Sequence, residues 1–291
     1  MPPNHPRAVA SALALILVAL LWGTSYAVVK DIIATVPPFT LMLCRFGLST
    51  LLLAAFHGPR LKRVSLRHLR NSAWIGLFLV LEYVCQILGI RFTTAINQSF
   101  LVGVCVIFVP LLAWLLSGSR PDGFALGGAL LALLGIGLLT LNGSLAMNKG
   151  DLLSLLASIF VACHMVAIEK LGRDGDPIAS TLVQFAVTTL AFLVLTGSFE
   201  SFTFTLAARH WRALAYLAAV STVIAFTLQN VAQKHLSSTS TALILSLEPA
   251  FGGIFAVLYL HERPTLKMAA GCLVILVGIV TEETRWRFLR R

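Results

Sequence analysis

The sequence predicts an all-α membrane protein with ten transmembrane helices, laid out as two inverted five-helix repeats. Three observations predict it: a composition too apolar for water, ten apolar stretches of spanning length, and a register in which the first half of the chain lies on the second. The 291 residues are 58% hydrophobic and 12% charged, with a mean hydropathy of +0.89. A soluble domain carries about 25% charged residues, and its surface is already more than half apolar atoms. A chain this poor in charge needs lipid as its solvent.

The spans fall at 8–29, 38–57, 71–90, 95–117, 122–142, 150–169, 177–197, 211–232, 238–260 and 265–283. Each is near the ~20 residues that cross the hydrocarbon core. The first is too long for a signal-peptide core and reads as a retained helix. Pro, Gly or charge breaks the runs at Pro37-Pro38, Gly58-Pro59, Arg120-Pro121-Asp122, Lys149-Gly150-Asp151, Asp174-Gly175-Asp176-Pro177 and His261-Glu262-Arg263-Pro264. The longest connections, 57–71 and 198–211, read as linkers. Lys and Arg favour one set of alternate loops by two to one, with Arg60, Lys62, Arg63, Arg67 and Arg70 in a single loop and Arg285, Arg287, Arg290 and Arg291 at the end. Basic loops stay cytoplasmic, so both termini are expected in the cytoplasm of an inner-membrane protein.

Those basic residues account for the net charge of +10. They sit between apolar runs and meet anionic headgroups; they form no stripe with interleaved aromatics, so nucleic acid is not an expected partner, whereas membrane lipids are. The five cysteines all lie in apolar segments. Only Cys163 has a histidine beside it, His164, so neither a disulfide framework nor a metal site is expected, and no cofactor is implied.

The repeat appears at two shifts. At 143 residues Gly128 and Gly135 fall on Gly271 and Gly278, Arg120-Pro121 on Arg263-Pro264, Gln86 on Gln229 and Arg91 on Lys234. At 139 residues RFGLST (45–50) falls on QFAVTT (184–189) and Pro38 on Pro177. The units run 8–142 and 150–283. Five spans is an odd number, so the second copy enters the membrane from the opposite side. Two inverted halves can open a midplane site to either face, which favours a carrier over a membrane enzyme.

Three stretches, ALLWGTSYAVVK (19–30), LSLEPAFGGIFAVLYLHERPT (245–265) and the two Gly-spaced helices, resemble the EamA-type ten-helix carriers of the drug/metabolite transporter superfamily. The likeness covers nearly the whole chain. It implies a central cavity lined by helices 1–4 and 6–9, with helices 5 and 10 peripheral and available for a homodimer. It also implies a small-molecule substrate, amino-acid exporters being the commonest described members. The halves differ where Glu248-Pro249 and Glu262 match the family's second-half pattern, since the first half offers Cys105-Val106 and Ser119 there, with its proline later at Pro110. Transport residues are therefore expected to be asymmetric.

Charge at mid-bilayer costs about 3 kcal/mol on insertion scales, so polar residues inside the spans are the candidates. Glu82, with Tyr83 beside it and Gln86 one turn on, either faces a cavity, contacting an aminated substrate or a proton, or makes a packing hydrogen bond. Glu248 precedes Pro249, which frees a carbonyl one turn earlier; the alternative is a kink whose glutamate is satisfied by Ser246 or another helix. His164 can titrate near neutrality or simply pack. Gln229 and Gln233 share a helix face, suited to a wet wall or to interhelical bonds. Trp22 and Tyr26 form an aromatic face or core. Asn97, Gln98 and Ser99 open helix 4 and either cap it near the extracellular end or serve function, and Arg45, roughly 10 Å deep at 1.5 Å per residue, reads as a snorkelling side chain. Helix 5 carries Gly127, Gly128, Gly135 and Gly137, which permit close packing.

No GxxxxGK[ST], HExxH or paired DxxxD appears, so ATP hydrolysis by a phosphate loop and intramembrane hydrolysis find no support. The expectation is a secondary transporter exporting amino acids or similar small polar metabolites by alternating access, with proton coupling open. The rivals are a translocator of lipid-linked or amphiphilic substrates, and a non-transporting membrane enzyme or scaffold.

Overall fold

Side-chain caps and prolines set where most helices begin in the computed structural model, which describes residues 6–117, 120–140, 148–173, 175–259 and 266–284. We number ten spans. The first, α1, runs Pro6–Gly23 and resumes at Ser25–Ile32; α2 is Pro38–His57 and α3 is Leu66–Gly89; α4 is Ala95–Gly103 followed by Cys105–Ser117; α5 is Gly123–Thr140. In the second half α6 is Lys149–Leu171 and α7 is Pro177–Phe199. Next, α8 comprises Trp211–Ala215, a π-helical stretch Tyr216–Ile224 and Ala225–Ala232; α9 is Ser238–Leu245 followed by Glu248–Tyr259; and α10 is Leu266–Thr284. Seven of these spans are long and apolar enough to cross a membrane by themselves, and α5 and α10 supply shorter apolar helices. The described residues contain no strand. The connections at 57–71 and 198–211 are not plain linkers: they hold a 3-10 turn, Gly58–Arg63, and a short helix, Phe204–Arg209. Asp174, Glu262, Arg263-Pro264 and the basic cluster from Arg285 lie outside the described residues.

The repeat is visible in the caps. Pro38 and Pro177 open α2 and α7 at corresponding first-turn positions, where a missing N–H costs nothing. The Thr94 hydroxyl accepts from Asn97 N (3.0 Å), and at the 143 shift the Ser237 hydroxyl accepts from Ser240 N (3.1 Å). Two helix breaks also correspond: α4 is interrupted at Val104 and α9 at Ser246-Leu247.

Inversion follows from how α5 and α10 meet. A Cβ on Gly128 would lie 2.8 Å from the Gly278 carbonyl oxygen, and one on Gly135 would lie 2.7 Å from that of Gly271. The contact register rises along one helix as it falls along the other, so the two run antiparallel. Exchanging repeat-equivalent residues turns one of these contacts into the other, which makes the interface self-complementary. Gly128, Gly135, Gly271 and Gly278 are thus spent on contacts within the chain, whereas Gly127 is not.

A pseudo-twofold axis passes through the centre of the molecule. Thr50 and Thr189, equivalent at the 139 shift, bond to each other at 2.9 Å. The equivalent rings Phe46 and Phe185 lie 5.9 Å apart, and the equivalent pair Tyr83 and Phe226 6.2 Å. The edge-on pairs Phe46–Tyr83 (4.8 Å) and Phe185–Phe226 (5.9 Å) exchange with each other. These contacts join α2, α3, α7 and α8 into one apolar core, while α1, α4, α6, α8 and α9 build another.

At one end of the bundle the Glu200 carboxylate, following α7, accepts from Phe39 N (2.9 Å), Thr40 N (2.8 Å) and the Thr40 hydroxyl (2.9 Å), so one half caps a helix of the other. At the opposite end of the same helix pair, Arg60 after α2 meets Asp176 at 2.9 Å. Partial burial opposes the Asp176 charge, but the Arg60 guanidinium and the N–H groups of Ile178 and Ala179 outweigh it and hold the carboxyl below its ordinary pKa.

Candidate functional site

Broken helices free backbone groups inside a bundle, and in membrane proteins they mark where polar ligands bind. Three breaks converge here. The interruption of α1 at Thr24 follows Gly23, which lies against the start of the second segment of α9: a Cβ on Gly23 would come within 2.6 Å of the Glu248 carbonyl oxygen and 2.9 Å of Gly252 N. Only a residue without a side chain allows that approach. Beside the breaks opens a cavity of about 840 Å³, counting its open side.

Six of the residues singled out by the sequence line it together: Trp22 and Tyr26 from α1, Glu82, Tyr83 and Gln86 from α3, and Glu248 from α9. The Trp22 indole donates to the Ser221 carbonyl (2.9 Å) and its ring tilts against Phe226 at 5.0 Å, so packing fixes its orientation. Glu82 Oε1 accepts from Gln86 Nε2 (3.2 Å). The Tyr26 hydroxyl is the side chain that interacts with Glu248. Ser246 does not satisfy it, because the Ser246 hydroxyl donates to its own helix at Leu243 O (2.5 Å).

Arg45 does not snorkel. It is 3% exposed and lines the cavity. Nε donates to Thr222 Oγ1 (2.7 Å), and Nη2 donates to the Tyr83 hydroxyl (3.2 Å) and Ser221 Oγ (3.2 Å). Its guanidinium carbon lies 5.1 Å from the Tyr83 ring centroid, a cation–π contact. Among the described residues Nη1 has no hydrogen bond. The π-helical stretch of α8 makes this docking possible. Its wider turn lets Thr222 Oγ1 donate back to Leu217 O five residues earlier (2.7 Å), while the Ser221 carbonyl turns towards Trp22 and Arg45. Such stretches recur at functional sites.

The cap of α4 is Thr94, not the Asn97-Gln98-Ser99 run. Gln98 and Ser99 line the cavity, with Gln98 Nε2 donating to the Gln86 carbonyl (3.0 Å). His164 and Gln229 lie behind the wall. His164 is 1% exposed and bonds through Nε2 to Gln184 Oε1 (3.0 Å). Gln229 is buried with Oε1 unpartnered, and Gln233 makes an interhelical bond to Met165 O (3.0 Å).

The site therefore has a guanidinium on one wall and two carboxyl groups on others, with three aromatic rings among them. Arg45 suits a carboxylate, Glu82 and Glu248 suit an ammonium, and the rings suit an apolar side chain. Its asymmetry has a specific origin: the repeat counterpart of Arg45 is Gln184, that of Glu82 is Ala225, and that of Tyr83 is Phe226. The charged half of the pair faces the cavity and the neutral half faces protein. The described residues hold no group of His, Cys, Asp and Glu able to bind a metal ion.

The pattern of the EamA-like transporter family matches residues 9–141 and again 148–281. An uncharacterized transporter of Archaeoglobus fulgidus is 31% identical over 276 residues, covering 94% of this chain and 85% of its own length. A protein of Escherichia coli K12 described as a probable amino-acid metabolite efflux pump is 26% identical over 290 residues, with 94% and 95% covered. A solved crystal structure superposes with a TM-score of 0.80 at 18% identity, over 97% of this chain and 99% of that one, and shows the same fold.

Proposed function

We propose that this chain, which belongs to the EamA-like transporter family, is a secondary exporter of amino acids or similarly small zwitterionic metabolites. It works by alternating access in the bacterial inner membrane, with both termini cytoplasmic. The observation that carries the substrate class is the cavity itself: Arg45 opposite Glu82 and Glu248, with Trp22, Tyr26 and Tyr83 among them. A free α-amino acid presents one carboxylate, one ammonium and one side chain, and the walls offer a complement to each. The repeats, 8–142 and 150–283, are the units that exchange conformation about the pseudo-twofold axis. The name of the E. coli relative supports export, and the two-to-one bias of Lys and Arg supports the orientation.

The test is counterflow in liposomes containing the purified chain, with a panel of labelled amino acids. The reading expects exchange of at least one of them. It also expects Glu248→Gln to cut that exchange at least tenfold while the protein still folds and inserts. A panel with no exchange overturns the substrate class. In cells, overexpression should raise the tolerated concentration of the exported solute, and a lowered tolerance would reverse the direction.

A further inference from the structure

We propose that Glu82 is the proton-binding site of the cavity, holding a proton on Oε2 against Nδ1 of His164 and releasing it when a substrate ammonium takes its place.

The hydrogen-bond chain behind the cavity fixes the state of His164. Asn230 Nδ2 donates to the Phe226 carbonyl (2.9 Å), which turns its Oδ1 towards Gln184. Gln184 Nε2 donates to that Oδ1 (3.0 Å) and to Ser180 Oγ (3.0 Å), so its amide hydrogens are both engaged and its Oε1 is an acceptor. His164 Nε2 lies 3.0 Å from that oxygen and must carry the hydrogen. A neutral imidazole with its hydrogen on Nε2 presents a bare lone pair at Nδ1.

That lone pair faces Glu82. Nδ1 lies 3.7 Å from Oε2, which is buried and has no hydrogen bond. Two acceptors do not face each other in a buried site without a proton between them. At 3.7 Å neither a neutral nor an ionic hydrogen bond is made, and without one a buried imidazolium–carboxylate pair cannot offset the desolvation of two charges. The neutral acid beside the neutral imidazole is the less costly arrangement.

The groups around the two carboxyls bear on which of them holds the proton. The groups facing Glu82 are Arg45 on α2, Tyr26 on α1, Tyr83 and Cys85 on its own helix, Cys105 on α4, His164 on α6 and Glu248 on α9. Glu248 has a hydroxyl donor in Tyr26, which suits a carboxylate. Glu82 Oε1 accepts from Gln86, while its Oε2 faces the bare nitrogen of His164, which suits an acid O–H on that oxygen. When an ammonium enters, the Glu82 O–H bond breaks, the proton leaves to water, and the carboxylate pairs with the ammonium. One proton is released for each ammonium bound, with no redox change.

The location of the proton does not depend on the transport reading; its exchange for an ammonium does. The two are therefore tested separately. The wild-type chain in liposomes is treated with dicyclohexylcarbodiimide, which modifies protonated carboxyls, and the label is mapped by peptide mass spectrometry. The proposal expects Glu82 to be labelled at neutral pH at least tenfold more than Glu248, with labelling falling as pH rises. Label on Glu248 instead, or on neither, overturns it. Infrared difference spectroscopy gives a second readout: the band of the protonated buried carboxyl should shift in frequency in Glu82→Asp and stay in place in Glu248→Asp, both of which conserve charge, and the opposite pattern also overturns the site. A labelled Glu82 in liposomes that show no counterflow would leave the proton site standing and remove the substrate class.

Discussion

Substituting Gly135 with alanine should destabilise the protein, whereas the same change at Gly127, in the same helix, should not. The added Cβ at Gly135 would lie 2.6 Å from Ile275 Cγ1, 2.7 Å from Gly271 O and 2.8 Å from Ile275 N. Ordinary contact is about 3.5 Å, so the overlap is roughly 0.7 to 0.9 Å, and two of the three atoms are backbone that cannot rotate away. Helices α5 and α10 must separate by about that distance, which forfeits a quarter to a half of the dispersion energy along their seam. Overpacking of this kind costs about 1–3 kcal/mol, offset in part by the ~1 kcal/mol that alanine gains over glycine in a helix interior. The net expectation is a loss of up to about 2 kcal/mol, and a stability about 1–3 kcal/mol below that of Gly127→Ala. A Cβ on Gly127 meets nothing within 4 Å, so Gly127→Ala keeps only the gain. Gly128→Ala, whose contact is related to that of Gly135 by the pseudo-twofold axis, should resemble Gly135→Ala. The assay is unfolding in mixed micelles titrated with a denaturing detergent and followed by circular dichroism. Gly135→Ala proving as stable as Gly127→Ala would refute the antiparallel glycine seam and, with it, this evidence for inverted halves.

Arg45→Lys keeps the charge but cannot reach Thr222, Tyr83 and Ser221 at once, so counterflow should fall at least tenfold; an unchanged rate would remove Arg45 from substrate recognition. Glu200→Ala strips three acceptor contacts from the start of α2 and should cost about 1–2 kcal/mol, measured by the same detergent titration; no change would mean that water replaces the cap. The Arg60–Asp176 pair is partly exposed and should contribute well under 1 kcal/mol. Because the Asp176 carboxyl is held below its ordinary pKa, that contribution is present above the ordinary value and is lost as pH falls through the lowered one. Arg60→Ala should therefore narrow the stability difference between neutral and acid pH, and a wider difference would contradict the pairing.

Much of the architecture was legible because lipid imposes simple rules. Spans of about 20 residues, an odd number per repeat and paired glycines were enough to predict inversion. Glu82 and Glu248 stood out because carboxyls are costly inside a membrane. Arg45 was misread because counting along a helix gives depth but not direction: seven residues into α2, an arginine can bend back to the headgroups or turn inward to the π-helical stretch of α8. That stretch leaves no mark in a hydropathy pattern, so neither its freed carbonyl nor its grip on Arg45 could be anticipated. The partner of His164 was hidden for another reason. Gln184 is the shifted counterpart of Arg45, and a repeat alignment says which residues correspond without saying which touch. Thr94 was overlooked as the cap of α4 because the polar run after it drew attention, although a threonine three residues before Asn97 is an ordinary N-cap signal.

Thr50 against Thr189 and the four rings around Phe46 have a mechanical consequence. If the halves trade conformations, a contact between equivalent residues trades with itself and is kept, whereas a contact such as Trp22 to Ser221 has to be given up for its mirror-position partner across the protein. The hydroxyl pair and the rings thus form a stationary fulcrum, and motion must grow with distance from it. Under the proposed alternating access, the halves would rock about those fixed rings and not slide past each other.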